Sequence, residues 1–295
     1  MDKLFTSRRA VLATIAGAAL HPGGALKGAT AGNRSLVCVR LVSDTGFSML
    51  APGGLAGGSC TVTSALSRQR IALQQGLAEA GRLFESRTVA LVEETAGVDP
   101  ERGFVPEGFT APAWMLRAAG ASVTDAPHAF GFRSGLLMLA PDGSGARLDD
   151  AGLLAQARRG NFTFPDTAIG RQLRQVAGLL AADSGPRHFV ASLGATVTVG
   201  EMADQAAERM RQLGAALAAF QTAIQTIGVA YDVTTFTEPD LRDPAGRRLR
   251  LIMGSRVLGG ELYQREGVEV DGVLAEWAGQ GNAVAATPTS ARFLY

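Results

Sequence analysis

Residues 188–237 read HFVASLGATVTVGEMADQAAERMRQLGAALAAFQTAIQTIGVAYDVTTFT. Residues 189–193 form an apolar run of strand length with no helical period. Residues 202–227 carry apolar side chains at helical spacing, and Gly228 is suited to end that helix. Residues 229–237 are again rich in β-branched side chains. The sequence therefore predicts a strand, a long amphipathic helix and a second strand in this stretch.

The same alternation extends outward on both sides. Further strands are predicted at residues 35–42 (SLVCVRLV), 88–92 (TVALV) and 249–253, and further helices at residues 64–84 and 169–180. The elements within residues 35–92 are predicted to form a β-α-β unit. Alternating strands and helices predict an α/β fold, a mostly parallel sheet with helices on both faces. Six prolines interrupt residues 97–166, which we interpret as an irregular insertion with short helices, one of them around residues 114–119. Residues 32–295 are expected to form a single domain.

Composition excludes several kinds of chemistry. The chain of 295 residues is 46% hydrophobic and has a formal net charge of +1. Beyond residue 31 the charge is close to neutral, which gives no electrostatic reason to expect nucleic acid as a partner. The two lysines, Lys3 and Lys27, both precede residue 31, so a Schiff-base or phosphate-loop lysine is excluded from the rest. The three histidines, His21, His128 and His188, cannot build a centre that needs several imidazoles. We expect no cofactor.

The N-terminus has the features of an export signal. Ser7-Arg8-Arg9 is followed by an apolar stretch, residues 10–20, and resembles the twin-arginine signal, whose translocase carries folded proteins across the membrane. That stretch is too short to span a bilayer stably, so a removable signal is expected and no membrane anchor. Cleavage is predicted after Ala31, leaving a periplasmic or otherwise exported chain. The alternative is a basic N-terminus followed by a chance apolar run.

An exported location permits a disulfide between Cys38 and Cys60, although the absence of a CxxC spacing favours two independent thiols. Cys60 lacks the proline and arginine of the sulfatase C-x-P-S-R motif, so conversion to formylglycine is not expected. His188 precedes a predicted strand, away from its carboxyl end, and is interpreted as structural. The arginines of residues 68–70 and 247–250 are expected to lie on solvated faces.

Ligands of parallel α/β sheets collect at the carboxyl ends of the strands. Asp44 and Thr45 follow the first predicted strand, residues 194–199 follow the strand at 189–193, and Glu238 and Asp243 follow the strand at 229–237. These positions are the candidates for a functional site.

At these positions the chain resembles a known family. The segments RQLRQVAGLLAAD, HFVASLGATVTVG, DVTTFTEPDLR and LIMGSRVLGGELYQ are similar to the twin-arginine-exported, domain-of-unknown-function proteins of the alkaline phosphatase and sulfatase superfamily. Members typically carry S-L-G-G-F-D-T-H, T-F-S-E-F-G-R and a D-H-G segment before L-V-L-G-G. The resemblance implies an alkaline-phosphatase-like fold and divalent-metal ligands at those acidic and histidine positions.

The chain departs from that pattern at most of the ligand positions. Val197 and Val199 stand where the family has aspartate and histidine, and Pro244 replaces the histidine of D-H-G. The residual candidates for metal binding are Asp44, Glu238 and Asp243, which could hold at most a poor site. Each also has a structural interpretation, because Glu238 could pair with an arginine or cap a turn, and the two aspartates could form Asx turns.

The sequence therefore favours an exported, non-catalytic member of this superfamily, a pseudoenzyme that acts through binding or assembly with a second exported protein. The alternative is a phosphate- or sulfate-ester hydrolase with an unusual metal site, or a metal-free one with Thr45 or Ser43 as nucleophile near Glu238. A cleft that binds an anion without reacting is a third possibility.

Overall fold

The computed structural model describes residues 34–41, 59–95, 129–131, 137–139, 161–182, 188–193, 203–239 and 248–266, together with residues 270, 271, 273, 274 and 277. The strands are β1 (Ser35–Leu41), β2 (Ser59–Thr63), β3 (Arg70–Gln74), β4 (Val89–Thr95), β5 (Ala129–Gly131), β6 (Leu137–Leu139), β7 (His188–Leu193), β8 (Val233–Pro239), β9 (Arg248–Met253) and β10 (Leu262–Glu266). The α-helices are α1 (Ala78–Glu85), α2 (Ala168–Ala181) and α3 (Ala203–Thr226). Short 3₁₀ turns, Gln75–Leu77 and Ala230–Asp232, precede α1 and β8.

One mixed sheet organises the fold, with strand order β10-β4-β9-β8-β1-β7-β6-β5. Its six longer strands are joined at one edge by two strands of three residues each, β5 and β6. β1 is parallel to both β7 and β8, and β10 is parallel to β4. β9 is antiparallel to β8 and β4, and β6 is antiparallel to its neighbours. The α/β class is confirmed, as a mixed sheet.

The sheet is less uniformly parallel than the sequence predicted, for a topological reason. Only residues 240–247 separate β8 from β9, whereas a parallel pair needs a crossover of about a dozen or more residues. β9 therefore turns back beside β8 and runs against it. The two strands of the β-α-β unit predicted for residues 35–92 are not neighbours in the sheet, because β8 and β9 lie between β1 and β4.

The predicted helix at residues 64–84 is wrong in its first part, where a hairpin stands instead. β3 pairs antiparallel with β2, and Ile71 and Leu73 are buried while Ala72 is exposed. That two-residue alternation is the period of a strand with one buried face. The region predicted to be an irregular insertion contributes β5 and β6 to the sheet; most of it, including residues 114–119, lies outside the described residues.

One face of the sheet packs against the three helices and the hairpin. Val37, Val39 and Leu41 project from β1 into a core that includes Leu173 of α2 and Phe220 of α3. The Thr167 hydroxyl accepts a hydrogen bond from the Gly170 N–H and so caps α2. α3 ends at Thr226, and Gly228 follows in the closing turn with a φ of +79°, the left-handed conformation that commonly ends helices.

The opposite face of the sheet is also buried. Leu36 and Cys38 alternate with the core residues of β1 and are fully buried. Residues 270, 271, 273, 274 and 277 are helical, and Val270, Val273, Leu274 and Trp277 among them are buried, a spacing that presents one face of a helix. The Arg34 guanidinium donates to the Trp277 carbonyl oxygen at 2.6 Å and lies 5.5 Å from the centre of its ring. The described residues contain no helix long and apolar enough to cross a bilayer.

Candidate functional site

The carboxyl edge of the sheet holds a fully buried arginine surrounded by acids. Arg250 places its Nε 2.7 Å from Glu94 Oε1 and its Nη1 2.7 Å from Asp271 Oδ1. Its Nη2 lies 2.9 Å from Glu238 Oε2 and 3.2 Å from Glu238 Oε1. Each nitrogen of the guanidinium therefore faces a different carboxylate. We call Arg250 with Glu94, Glu238 and Asp271 the arginine cluster.

The strands explain how these side chains meet. Leu249 and Leu251 belong to the helix-packed core, so Arg250 between them points to the opposite face. Val92 lies opposite Arg250 in the β4–β9 pair, and Glu94 follows on the same face two residues later. Glu238 comes from the carboxyl end of β8, and Asp271 comes from the helical segment after β10.

Burial and charge act in opposite directions on the arginine. Burial by itself lowers the pKa of the Arg250 guanidinium, since removal from water disfavours the charged form. Glu238, Glu94 and Asp271 raise it, and the net result is a pKa above the usual value for arginine. Arg250 is therefore a permanent cation inside the protein. Such a charge is stable in the interior only when its counter-ions are close, as they are here.

The structure resolves one of the predicted site residues in detail. Glu238 is buried and forms the ion pair with an arginine that was its structural interpretation. The other candidates, Asp44, Thr45 and Asp243, lie outside the described residues, as do Val197, Val199, Pro244, Arg8, Arg9 and Ala31.

Sequence analysis missed the partners of Glu238. The expectation that residues 247–250 are solvated is wrong for Arg250, which is completely buried. The signal was present in RLRLIM, because a charged residue within a strand covered on both faces requires a counter-ion. Glu94 gave a second signal, since it follows the predicted strand at 88–92 just where candidates were sought. For residues 68–70 the expectation is confirmed, as Arg68 and Arg70 are exposed.

The two cysteines are thiols, as the sequence favoured. Cys38 is buried within β1 and Cys60 is half-buried on β2, and no disulfide joins them. Burial raises the pKa of the Cys60 thiol, which disfavours the reactive thiolate. His188, at the start of β7, is largely buried, and burial lowers its pKa to about 4. Its imidazole is therefore neutral near pH 7, in keeping with a structural residue.

No protein-family model matches the sequence, and no curated protein matches it. The chemistry of the cluster must therefore be judged from its own atoms. A divalent cation needs several oxygen donors directed at one point. In the arginine cluster the carboxylate oxygens are instead directed at the guanidinium nitrogens, within 2.7–3.2 Å. These oxygens are already engaged by the guanidinium, so Glu238 does not fit the role of metal ligand that the family resemblance implies.

Proposed function

We propose that this chain is an exported, non-catalytic protein with an alkaline-phosphatase-like α/β fold, and that it acts by binding or assembling with a second exported protein. The twin-arginine motif at Arg8 and Arg9 supports export. The mixed α/β sheet and the motifs around Glu238 support the relationship to the superfamily. The non-catalytic character depends on the chemistry at the carboxyl edge of the sheet.

The observation that carries the proposal is the ion pair between Glu238 and Arg250. Hydrolases of this superfamily stabilise the attacking and leaving oxygens with metal ions, which must be held firmly by several ligands. Here the retained acid, Glu238, is already paired with an internal cation. Arg250 is 0% exposed and Glu238 is 5% exposed. The substitutions Val197, Val199 and Pro244 remove further donor side chains from the family pattern. Together these features favour a scaffold without a metal-dependent reaction.

A direct experiment measures metal content and turnover in the same preparation. Residues 32–295 are purified, metals are quantified by mass spectrometry, and phosphate and sulfate mono- and diesters are assayed. We expect well below one metal ion per chain and no turnover above the uncatalysed rate. Stoichiometric zinc, manganese or calcium would overturn the proposal if turnover is lost in Glu238→Gln and kept in Glu79→Gln. Glu79 is a suitable control because its carboxylate pairs with Arg82 in solvent.

Export is tested by replacing both arginines of the signal. We expect that Arg8→Lys together with Arg9→Lys retains the chain inside the cell at its uncleaved mass, because the translocase recognises the paired arginines. The unaltered chain should be recovered outside the inner membrane with its N-terminus at Gly32. Export of both forms in equal amounts would contradict the twin-arginine assignment.

A further inference from the structure

Two exposed leucines lie on neighbouring turns at one edge of the molecule. Leu66 is 80% exposed, in the turn between β2 and β3, and Leu258 is 45% exposed, in the turn between β9 and β10. The two turns are joined by a hydrogen bond from the Ala65 N–H to the Gly260 carbonyl oxygen at 2.8 Å. The leucines therefore belong to one surface.

The turn that carries Leu66 is firmly held. The backbone N–H groups of Leu66 and Ser67 both donate to the carboxylate of Glu261, which is 8% exposed. The Ser67 hydroxyl donates to the same carboxylate at 3.1 Å. Charge-assisted hydrogen bonds of this kind fix a turn more strongly than neutral ones. An apolar side chain is thus held in solvent by a nearly buried acid.

The turn that carries Leu258 is held in a similar way. The Leu258 carbonyl oxygen accepts a hydrogen bond from the Tyr263 hydroxyl at 2.9 Å, and the preceding Val257 is buried. The Gly260 N–H donates to the Val89 carbonyl oxygen at 2.8 Å and ties the end of this turn to β4. Both leucines are therefore presented by fixed backbone.

Two arginines flank the leucines in an uncommon backbone conformation. Arg68 has a φ of 59° and Arg87 a φ of 60°, and they are the only non-glycine residues with positive φ in the part of the chain that the structure describes. Long side chains are disfavoured there, so a conformational cost is accepted at both positions. Arg87 Cγ packs against Gly260, which places this arginine beside the Leu258 turn. Both arginines are exposed and form no ion pair within the described ranges.

We infer that Leu66, Leu258, Arg68 and Arg87, the leucine–arginine edge, form a docking surface for an acidic segment of a partner protein. The inference rests on the proposed function in one respect, that the chain acts through a protein partner. An apolar side chain of the segment packs on the two leucines, and its flanking carboxylates pair with the two arginines. The two exposed arginines favour an acidic partner, and the carboxylate of Glu261 is already bonded to the Leu66 turn. Fixed leucines beside two arginines match a segment of defined sequence better than a fluid lipid surface.

Photo-cross-linking tests the surface in the cell that produces the protein. A benzophenone amino acid replaces Leu66 in the full chain, and a second sample carries it in place of Thr61, which is exposed on the same hairpin. We expect one discrete protein adduct at position 66, mapped by mass spectrometry to a segment rich in Asp and Glu. The adduct should be absent at position 61 and lost when Arg68→Glu and Arg87→Glu are added. No protein adduct at position 66, an adduct unaffected by charge reversal, or lipid adducts alone would overturn the inference.

Affinity measurements then separate this inference from the proposed function. The mapped segment is synthesised as a labelled peptide and titrated with the mature chain and with the double charge-reversal variant. We expect affinity to fall about tenfold or more in that variant, to weaken with salt, and to be unchanged in Arg82→Glu. Equal binding by all three chains, or stronger binding to phosphatidylglycerol vesicles than to the peptide, would contradict it. Metal-dependent turnover with intact peptide binding would refute only the proposed function.

Discussion

Replacement of Arg250 by methionine should destabilise the protein severely. Methionine preserves much of the side-chain volume but leaves Glu94, Glu238 and Asp271 in a buried site without their shared cation. Removal of one partner from a buried ion pair costs about 3–5 kcal/mol in the free energy of unfolding. Since a domain of this kind is stable by about 5–15 kcal/mol, Arg250→Met should lie close to the limit of folding.

The matched control is an ion pair of the same length at the surface. Arg82 Nη1 lies 2.7 Å from Glu79 Oε1, but the two side chains are 74% and 41% exposed. Exposed pairs contribute about 0–1 kcal/mol, so Arg82→Met should be nearly neutral. Arg250→Lys should fall between them, because an ammonium group keeps the charge but cannot direct donors to three carboxylates at once.

The assay is urea-induced unfolding followed by circular dichroism. We expect the loss in free energy of unfolding to be largest for Arg250→Met, smaller for Arg250→Lys and smallest for Arg82→Met. Part of the loss in Arg250→Met should be recovered when Glu94→Gln and Glu238→Gln are added, because both changes remove uncompensated charge. A change below about 1 kcal/mol for Arg250→Met would refute the conclusion that this arginine is the counter-ion of the cluster.

Three further predictions concern other parts of the molecule. The pKa of His188 is lowered from 6.5 to about 4, so its contribution to stability is complete above pH 6.5 and is lost as the pH falls toward 4. Between pH 7.5 and 4.5 the free energy of unfolding of the unaltered protein should therefore fall by about 2.5 kcal/mol more than that of His188→Gln. Parallel plots of unfolding free energy against pH for the two proteins would contradict this. When thiols are titrated in the folded chain, Cys38 should not react and Cys60 should react slowly. In urea without a reductant both thiols should react, and the absence of any reactive thiol there would indicate a disulfide. Gly76→Ala should lower the free energy of unfolding by about 1–3 kcal/mol or more, since the new Cβ would lie 2.2 Å from the Ala207 carbonyl oxygen. Gly228→Ala meets nothing within 4 Å and should cost only about 1–2 kcal/mol, because of its positive φ. A larger loss for Gly228→Ala than for Gly76→Ala would contradict the close contact at Gly76.

The sequence was informative where the apolar pattern was long and regular. It predicted α2, α3, β1, β4, β7 and β9 to within a few residues, because each has a clear helical period or a continuous apolar run. It failed at the β2–β3 hairpin, where Leu66, Leu73, Leu77 and Phe84 also fit a helical spacing. It did not predict β10, whose residues LYQRE carry one aliphatic side chain. Its pairing with β4 depends on tertiary context, which overrides weak local preference.

The site was predictable in location but not in composition. Glu238 could be selected because a carboxylate at the carboxyl end of a strand faces the ligand-binding edge of such sheets. Its partners come from β4, from β9 and from the segment after β10, and only the strand order brings them together. The sequence shows that residue 250 is charged, but it does not show that the strand order places acidic side chains around it.

The central claim is that a guanidinium, and not a metal ion, is the cation paired with the acids at this edge. The most direct measurement is anomalous X-ray diffraction from crystals of the mature chain soaked in manganese, collected at the manganese absorption edge. The account predicts guanidinium density in contact with Glu94, Glu238 and Asp271 and no anomalous peak among them. A strong manganese peak bound to Glu238, with Arg250 displaced, would contradict it.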